Sequence, residues 1–523
     1  MEVNFTKNKF FDQFRQLTRE KWKLGATIFT GKLLGLALVF IAMMVVPGLI
    51  STKAHAAETY TAHETSMINT VNTIWTLVAA FLVFGMQAGF VMLEAGFARK
   101  KETVNILMEC IYDTCLCGIL FWAVGYAFMF GNGNGFIGWG GADGKNWFFL
   151  QNTPATYGST GIPVLAHWIF QYAFADTCST IVSGAMIGRT SFRGDILYSI
   201  GITGFIYPII GHWAWGPDGW LVAKGFLDFA GSTVVHTIGG MASLAGAIVL
   251  GPRLGRIFKR DDKIKGGMPP AHNLTIAAVG GFILWFGWYG FNPGSTLSAM
   301  DGAGIGRVAA NTTLAACAGG MVAMYMALWF GATKGKFDVG FTVNGFLAGL
   351  VAITCPCYWV SPLGAIGLGA VSGVIVYLGT ILLEHIRIDD PVGAVPVHGL
   401  NGIWGTLSLG FFASGQYGFT GPTGPDNSHP VTGLLYGGGF DVLKAQLIGS
   451  GSITLATFGV ALIMMFIIKK LPHPWSLRVE EHGELMKGGI DVFEHGAEAY
   501  PADEDEDVSL SGLFESGVKA PLA

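Results

Sequence analysis

Two imidazoles stand where imidazoles are expensive to keep. His236 ends the run Asp228-Phe-Ala-Gly-Ser-Thr-Val-Val-His236, and His398 sits in Pro396-Val-His398-Gly-Leu-Asn-Gly402, each inside otherwise apolar sequence. A ring that gains and loses a proton near neutral pH suits proton transfer or metal ligation. At membrane depth it is kept where it faces a cavity or a partner. A single such histidine reads best as a neutral core ring satisfied by backbone or hydroxyl groups. Two in matched positions read instead as pathway residues. Aromatic side chains gather at neighbouring segment ends: Trp213, Trp215 and Trp220, then Phe170 and Phe174, then Phe291-Asn-Pro-Gly-Ser295. Their ring faces attract ammonium-type cations, although any one alone reads as part of an interfacial aromatic belt. Asp228, before an apolar run, suits capping of a helix N-terminus.

The elements that must position these groups are membrane helices. The chain of 523 residues is 51% hydrophobic and 13% charged, with 77 glycines, which excludes an ordinary soluble domain. About eleven apolar windows of spanning length recur, near 70–97, 104–130, 164–188, 195–217, 230–252, 273–292, 306–331, 337–357, 361–384, 396–414 and 445–469. The expected fold is an all-α membrane protein, with glycine allowing close helix approach. A net charge of -4 with dispersed basic residues argues against a nucleic-acid partner. The seven cysteines lie almost wholly in apolar segments and read as small hydrophobes. Cys355-Pro-Cys357 and Cys115-Leu-Cys117 lack the spacing of a zinc site, so no metal is expected.

Residues 1–57 read as a signal segment: basic residues up to Lys32, an apolar run from Leu34 to Ile50, and Ala54-His-Ala56 before Ala57 as a cleavage site. A retained extra helix is the alternative. Residues 58–470 form the transmembrane domain, and 471–523 a C-terminal tail whose acidic end, Asp503-Glu-Asp-Glu-Asp507, is expected to be disordered. Positive charge follows alternate spans, at Arg99 to Lys101, Arg189 and Arg193, Arg253 to Lys265, Lys334 and Lys336, and Lys469 and Lys470. These ends are predicted to be cytoplasmic, with the mature N-terminus outside and the C-terminus inside. His236 then falls in the fifth span and His398 in the tenth. An odd separation inverts the second copy, so two inverted five-helix repeats plus a C-terminal helix are expected, with the histidines meeting near the midplane.

The segments Asp228 to His236, Gly287-Trp-Tyr-Gly-Phe-Asn-Pro-Gly-Ser295, Ile388-Asp-Asp-Pro391 leading to Val397-His398-Gly399, and Gly489-Ile-Asp-Val-Phe-Glu-His-Gly-Ala-Glu-Ala-Tyr500 together resemble ammonium transporters of the Amt/Rh superfamily, on the bacterial Amt branch, over roughly residues 70–500. The resemblance implies an outer recruitment site of Trp215, Ser295 and Phe174, ordered by a buried Asp228. It also implies a gate of stacked Phe174 and Phe291, and a pore lined by His236 and His398 edge to edge. It further implies a homotrimer in the inner (plasma) membrane, no cofactor, no enzymatic activity, and a PII-type regulatory protein at the cytoplasmic face. An ammonium sensor, a bis-histidine haem protein and an Rh-like gas channel for ammonia or carbon dioxide are the competing readings. Two departures stand out. Ile187-Gly188-Arg189 replaces Ala-Glu-Arg, which removes an inner-face carboxylate, and Asp176 and Cys178 stand below Phe174 where small apolar residues are usual. A carboxylate at 176 would alter cation binding or proton transfer if it faced the pore, and would do neither if it faced a neighbouring subunit.

Overall fold

The computed structural model describes residues 60–331, 335–421 and 424–501. The signal segment expected over 1–57 and the acidic run 503–507 lie outside the described residues. The chain enters its first helix, α1 (Ala62–Phe97), through a capping box: the Thr61 hydroxyl accepts from the Glu64 amide at 3.3 Å and the Glu64 carboxylate accepts from the Thr61 amide at 2.7 Å. That box starts the helix at 62, where hydropathy alone suggests about 70. There follow α2 (Lys100–Phe130), α3 (Val164–Gly184), α4 (Phe192–Trp215), α5 (Ser232–Leu250), α6 (Leu274–Thr296), α7 (Gly302–Phe330), α8 (Val339–Thr354), α9 (Pro362–Ile386), α10 (residues 395–412) and α11 (Asp441–Lys469). Ser191, Asn273, Asp301, Asp338 and Ser361 each accept a backbone amide at a helix entry, which satisfies donors that lipid cannot.

Eight of these helices are long and apolar enough to cross a hydrocarbon core by themselves; α3, α8 and α10 are not among them. Those three are interior elements. Nearly every residue of α3 from Phe170 to Gly184 is buried, and α8 is buried without a break from Gly345 to Thr354, so protein rather than lipid surrounds them. The outer helices show the opposite pattern, with Leu455 75% and Phe286 65% exposed. Apolar side chains in such exposed rows are those of a multi-pass membrane protein facing acyl chains.

Glycine decides how closely the helices pass. A Cβ on Gly280 would lie 2.4 Å from the Leu93 amide nitrogen, locking α6 to α1, and one on Gly349 would lie 2.3 Å from the Ala315 carbonyl, locking α8 to α7. The closest such approach joins the two histidine-bearing helices: a Cβ on Gly240 of α5 would lie 2.2 Å from the Gly399 nitrogen of α10. Side chains larger than hydrogen there would separate the helices.

Connections opposite the basic ends carry short antiparallel hairpins, β1 (Asn132–Asn134) with β2 (Ile137–Gly140), β3 (Thr156–Tyr157) with β4 (Ile162–Pro163), and β5 (Ser414–Gly421) with β6 (Gly424–Thr432). Sequence hydropathy gives no sign of them. The C-terminal tail is held against the basic end from Ser476 onward. Ser191 donates to the Ser476 carbonyl at 2.5 Å, the Val479 amide donates to the Arg189 carbonyl at 3.0 Å, and Leu477, Val479 and Ile490 are buried.

Candidate functional site: an aromatic vestibule above paired histidines

A vestibule of about 840 Å³ opens on the hairpin side and is lined by Trp215, Ser295, Asp228, His167 and Phe174. Trp215 ends α4, and its indole donates to the Asp228 carbonyl oxygen at 2.8 Å, which fixes the ring over the opening. The Ser295 hydroxyl donates its proton to the Phe291 carbonyl at 2.7 Å. Its oxygen is thereby left as an acceptor for a cationic donor. Asp228 lies just before α5. One carboxylate oxygen accepts from the amides of Gly231 and Ser232, both at 3.0 Å, and the other from Thr233 and Val234, both at 2.9 Å. Burial pushes this carboxyl up and the four amides pull it down, with a net rise to about 6. The cap and the ordering of Trp215 are therefore one arrangement. Trp213 and Trp220 instead pack with Phe136, and the Trp213 indole donates to the Phe136 carbonyl, as belt residues do.

Phe174 forms the floor of the vestibule and stacks on Phe291 at 4.0 Å between centroids and 25° between planes, with Trp215 6.2 Å away across its edge. Beyond Phe291, His236 follows at 5.4 Å and His398 at 5.3 Å from His236. The two rings approach through Nδ1 atoms 3.2 Å apart, a spacing that shares one proton between a donor and an acceptor. Trp288 stacks on His236 at 5.1 Å and is itself held by its indole donating to the Thr354 hydroxyl at 2.9 Å. His236 Nε2 is buried without a protein partner. The sequence-chosen residues Trp215, Ser295, Asp228, Phe174, Phe291, His236 and His398 thus form one continuous file. With Nδ1 facing Nδ1 in nearly parallel rings, no macrocycle fits between the histidines as axial ligands, which removes the haem reading.

The sequence pattern of the Ammonium Transporter Family matches residues 74–500. The chain belongs to the ammonium transporter family. It is 43% identical over 442 residues to "Ammonium transporter Amt2" of Archaeoglobus fulgidus, covering 82% of this chain and 88% of that protein. It is 41% identical over 470 residues to "Putative ammonium transporter sll1017" of Synechocystis sp., covering 88% of this chain and 95% of that one. Among solved structures, the "Sensor Amt Protein" superposes with a TM-score of 0.71 at 34% identity, over 82% of this chain and 99% of that chain. Candida albicans Mep2 gives 0.72 at 28% identity, over 85% and 94%.

Two residues that support the file are given no role by the sequence reading, although both lie in segments that carry the family resemblance. Trp288 is masked as one apolar residue among many. Asp390 repeats the role of Asp228 at the basic end: its carboxylate accepts from Gly393 and Ala394 at 3.0 Å and from Val395 at 2.8 Å. The signal exists in the sequence, because Asp228 to His236 and Asp390 to His398 share the pattern Asp-x-x-Gly-x-x-x-Val-His. Gly231 and Gly393 both take positive φ, +110° and +79°, the backbone that turns the amides onto the carboxylate.

The departure at Ile187-Gly188-Arg189 does not leave the inner face without a carboxylate. Glu102 occupies the space, its Oε1 only 2.1 Å from where a Cβ on Gly188 would stand, and it pairs with Arg99 and lies 3.8 Å from Arg253. Asp389 completes the network, accepting from Arg253 Nε at 2.8 Å and Nη2 at 3.0 Å. Burial would raise this carboxyl, but Arg253 and Arg189 outweigh burial and hold it well below the usual range. Asp176 faces neither the pore nor the outside of the protein. It is fully buried and lies about 200° around α3 from Phe174 at 100° per residue.

Proposed function

We propose that this ammonium transporter captures the cation in the vestibule, on the Trp215 and Phe174 ring faces and the Ser295 oxygen, with the ionised Asp228 behind it. The stacked Phe174 and Phe291 then exclude water, and the species that passes them is ammonia, the proton being accepted near His236 and His398. The single observation that carries this reading is the unbroken contact order from Trp215 to Phe174, Phe291, His236 and His398, at 6.2, 4.0, 5.4 and 5.3 Å. Stripping water from an intact cation costs several kcal/mol or more at low dielectric, whereas a neutral molecule crosses an apolar constriction cheaply. Potassium carries no proton to surrender and is refused at the same step.

In this reading all eleven helices span the membrane, as two inverted five-helix halves plus α11, and the matched Asp-to-His turns supply the support. The basic ends face the cytoplasm of a plasma (inner) membrane and the vestibule faces outward. A homotrimer and a PII-type regulator at the basic face follow from the family resemblance. The test is a transient current on a solid-supported membrane carrying reconstituted protein. Ammonium evokes it and potassium does not, and Trp215→Ala lowers the response at limiting ammonium. An unchanged response in a folded Trp215→Ala protein would remove the recruitment site.

A further inference from the structure

Outside the lining of the vestibule, four helices enclose five carboxylates: Glu94 of α1, Glu109 and Asp113 of α2, Asp176 of α3 and Asp195 of α4, none more than 2% exposed. The Ser179 hydroxyl donates to Asp113 at 3.4 Å, Ser183 to Glu94 at 3.2 Å, and the Asn105 amide to Glu109 at 2.6 Å. No lysine, arginine or histidine hydrogen-bonds or ion-pairs with any of the five among the described residues. Both oxygens of Asp176, both of Asp195, one of Asp113 and one of Glu109 have no protein donor. The buried hydroxyls of Tyr198 and Ser199 are likewise unpartnered, although Tyr198 faces Asp195 and Ser199 faces Asp113. Asp113 lies within Coulombic reach of Glu94, Glu109, Asp176 and Asp195. The other titratable groups facing the cluster are Cys110, Cys117, Tyr112, Tyr172, Tyr198 and Asp390, none of which supplies positive charge.

Five adjacent carboxylates out of water cannot all be ionised, because desolvation and mutual repulsion act in the same direction. Protonation resolves both problems: it removes charge, and a carboxylic acid becomes a donor to a nearby hydroxyl such as Ser199 or Tyr198. A metal ion is a poorer occupant, since among the described residues no three His, Cys, Asp or Glu groups are placed to hold one. The cluster also has an inner outlet. Asn105, bonded to Glu109, receives His495 Nε2 on its side-chain oxygen at 2.9 Å, and its backbone N–H donates to Asp491 at 2.9 Å. His495 is half-buried in the tail.

We propose that Glu94, Glu109, Asp113, Asp176 and Asp195 form a second proton-binding site, outside the lining of the vestibule, which holds shared protons at membrane depth and exchanges them with the inner face beside Asn105 and His495. Each internal transfer breaks one carboxyl O–H bond and forms another on a second carboxylate, through an intervening hydroxyl such as Ser179, Ser199 or Tyr198 that gives up one proton as it takes the other. At the outlet the proton leaves on water beside Asn105, whose side chain is held between Glu109 and His495 and positions the exit without carrying the proton, and no further reactant is needed. The site stands whether or not ammonium crosses as ammonia.

The experiment is an infrared pH titration of the full-length protein in lipid nanodiscs without ammonium, joined to peptide mapping after treatment with dicyclohexylcarbodiimide, which adds to protonated carboxyls in apolar surroundings. The expected result is a protonated-carboxyl carbonyl band at neutral pH that shifts in heavy water. Carbodiimide label should appear on peptides carrying Asp113, Asp176 or Asp195, and the band should weaken in Asp113→Asn and again in Asp176→Asn. His495→Ala should slow the heavy-water shift several-fold. Absence of an acid band and of label in the wild-type protein overturns the proposal without recourse to any variant. Displacement of the band by sodium at constant pH also overturns it, by making the cluster a metal-cation site. A shift rate unchanged in His495→Ala overturns the outlet.

Discussion

The turns that carry the two histidines use one backbone device in two settings. In each, an aspartate eight residues before the histidine gathers the amides of the following turn, and a glycine three residues after the aspartate bends the chain to allow it. Asp228 faces an aromatic vestibule with no arginine bonded to it, whereas Asp390 lies within Coulombic reach of Arg189 and beside the Asp389–Arg253 pair. The same cap therefore fronts an open aromatic vestibule at one end and lies within reach of arginine at the other. Only the first suits capture of a cation. The scaffold is repeated, and the function is assigned by what surrounds each copy.

Breaking the junction of the two copies should have the largest effect. Gly240→Leu forces a side chain into the Gly399 backbone; overpacking of this kind costs about 1–3 kcal/mol, and uptake of labelled methylammonium should fall to background with a lower Tm. Uptake near wild-type would mean that the histidine-bearing helices need not meet. Next, Asp228→Ala and Asp390→Ala should each lose about 1–2 kcal/mol of stability from the cap, measured by thermal unfolding in detergent. Only Asp228→Ala should also raise the half-saturating ammonium concentration, by about tenfold or more. Equal increases in both variants would erase the asymmetry.

Acidification separates the copies without mutation. Asp228 sits at about 6, above an ordinary carboxyl, so its ionised fraction falls as the outer pH drops through that value. Near pH 5 recruitment should weaken by about tenfold. Protonation there favours the folded state, so no stability is lost. Asp389 is displaced the other way; its ion pairs contribute stability at neutral pH that is surrendered only in far stronger acid. Half-saturation should thus shift with outer pH while Tm holds or rises, and does not fall, down to about pH 5. A parallel fall in Tm would contradict the assignment. Smaller still, Trp215→Ala should raise half-saturation about fivefold, the worth of about 1 kcal/mol of cation–π attraction, and Ser295→Ala about threefold or less. Both are read from the concentration dependence of the evoked current.

Much of the site was visible in the residues because its chemistry conflicts with its surroundings: ionisable rings in apolar runs, and tryptophan, phenylalanine and serine at segment ends. Asp390 was concealed by a repeat too short and too diverged to stand out among 77 glycines, although its aspartate, glycine and histidine keep their spacing. Trp288 carries no charge to mark it, and its contact with His236 depends on how α6 leans on α5. Asp176 drew notice as an oddity. Its partners Glu94, Glu109, Asp113 and Asp195 come from three other helices, so no local window could gather them.

The sequence by itself settled the solvent of this protein, the approximate places of its apolar helices and the residues able to handle a cation, because hydropathy, charge and side-chain chemistry are local properties. The three-dimensional fold alone decided that Nδ1 of His236 meets Nδ1 of His398, that Phe174 lies flat on Phe291, that Glu102 fills the room left by Gly188, and that five carboxylates gather between four helices. Those outcomes depend on helix crossings set by glycine contacts between distant segments, to which no stretch of chain contributes both sides.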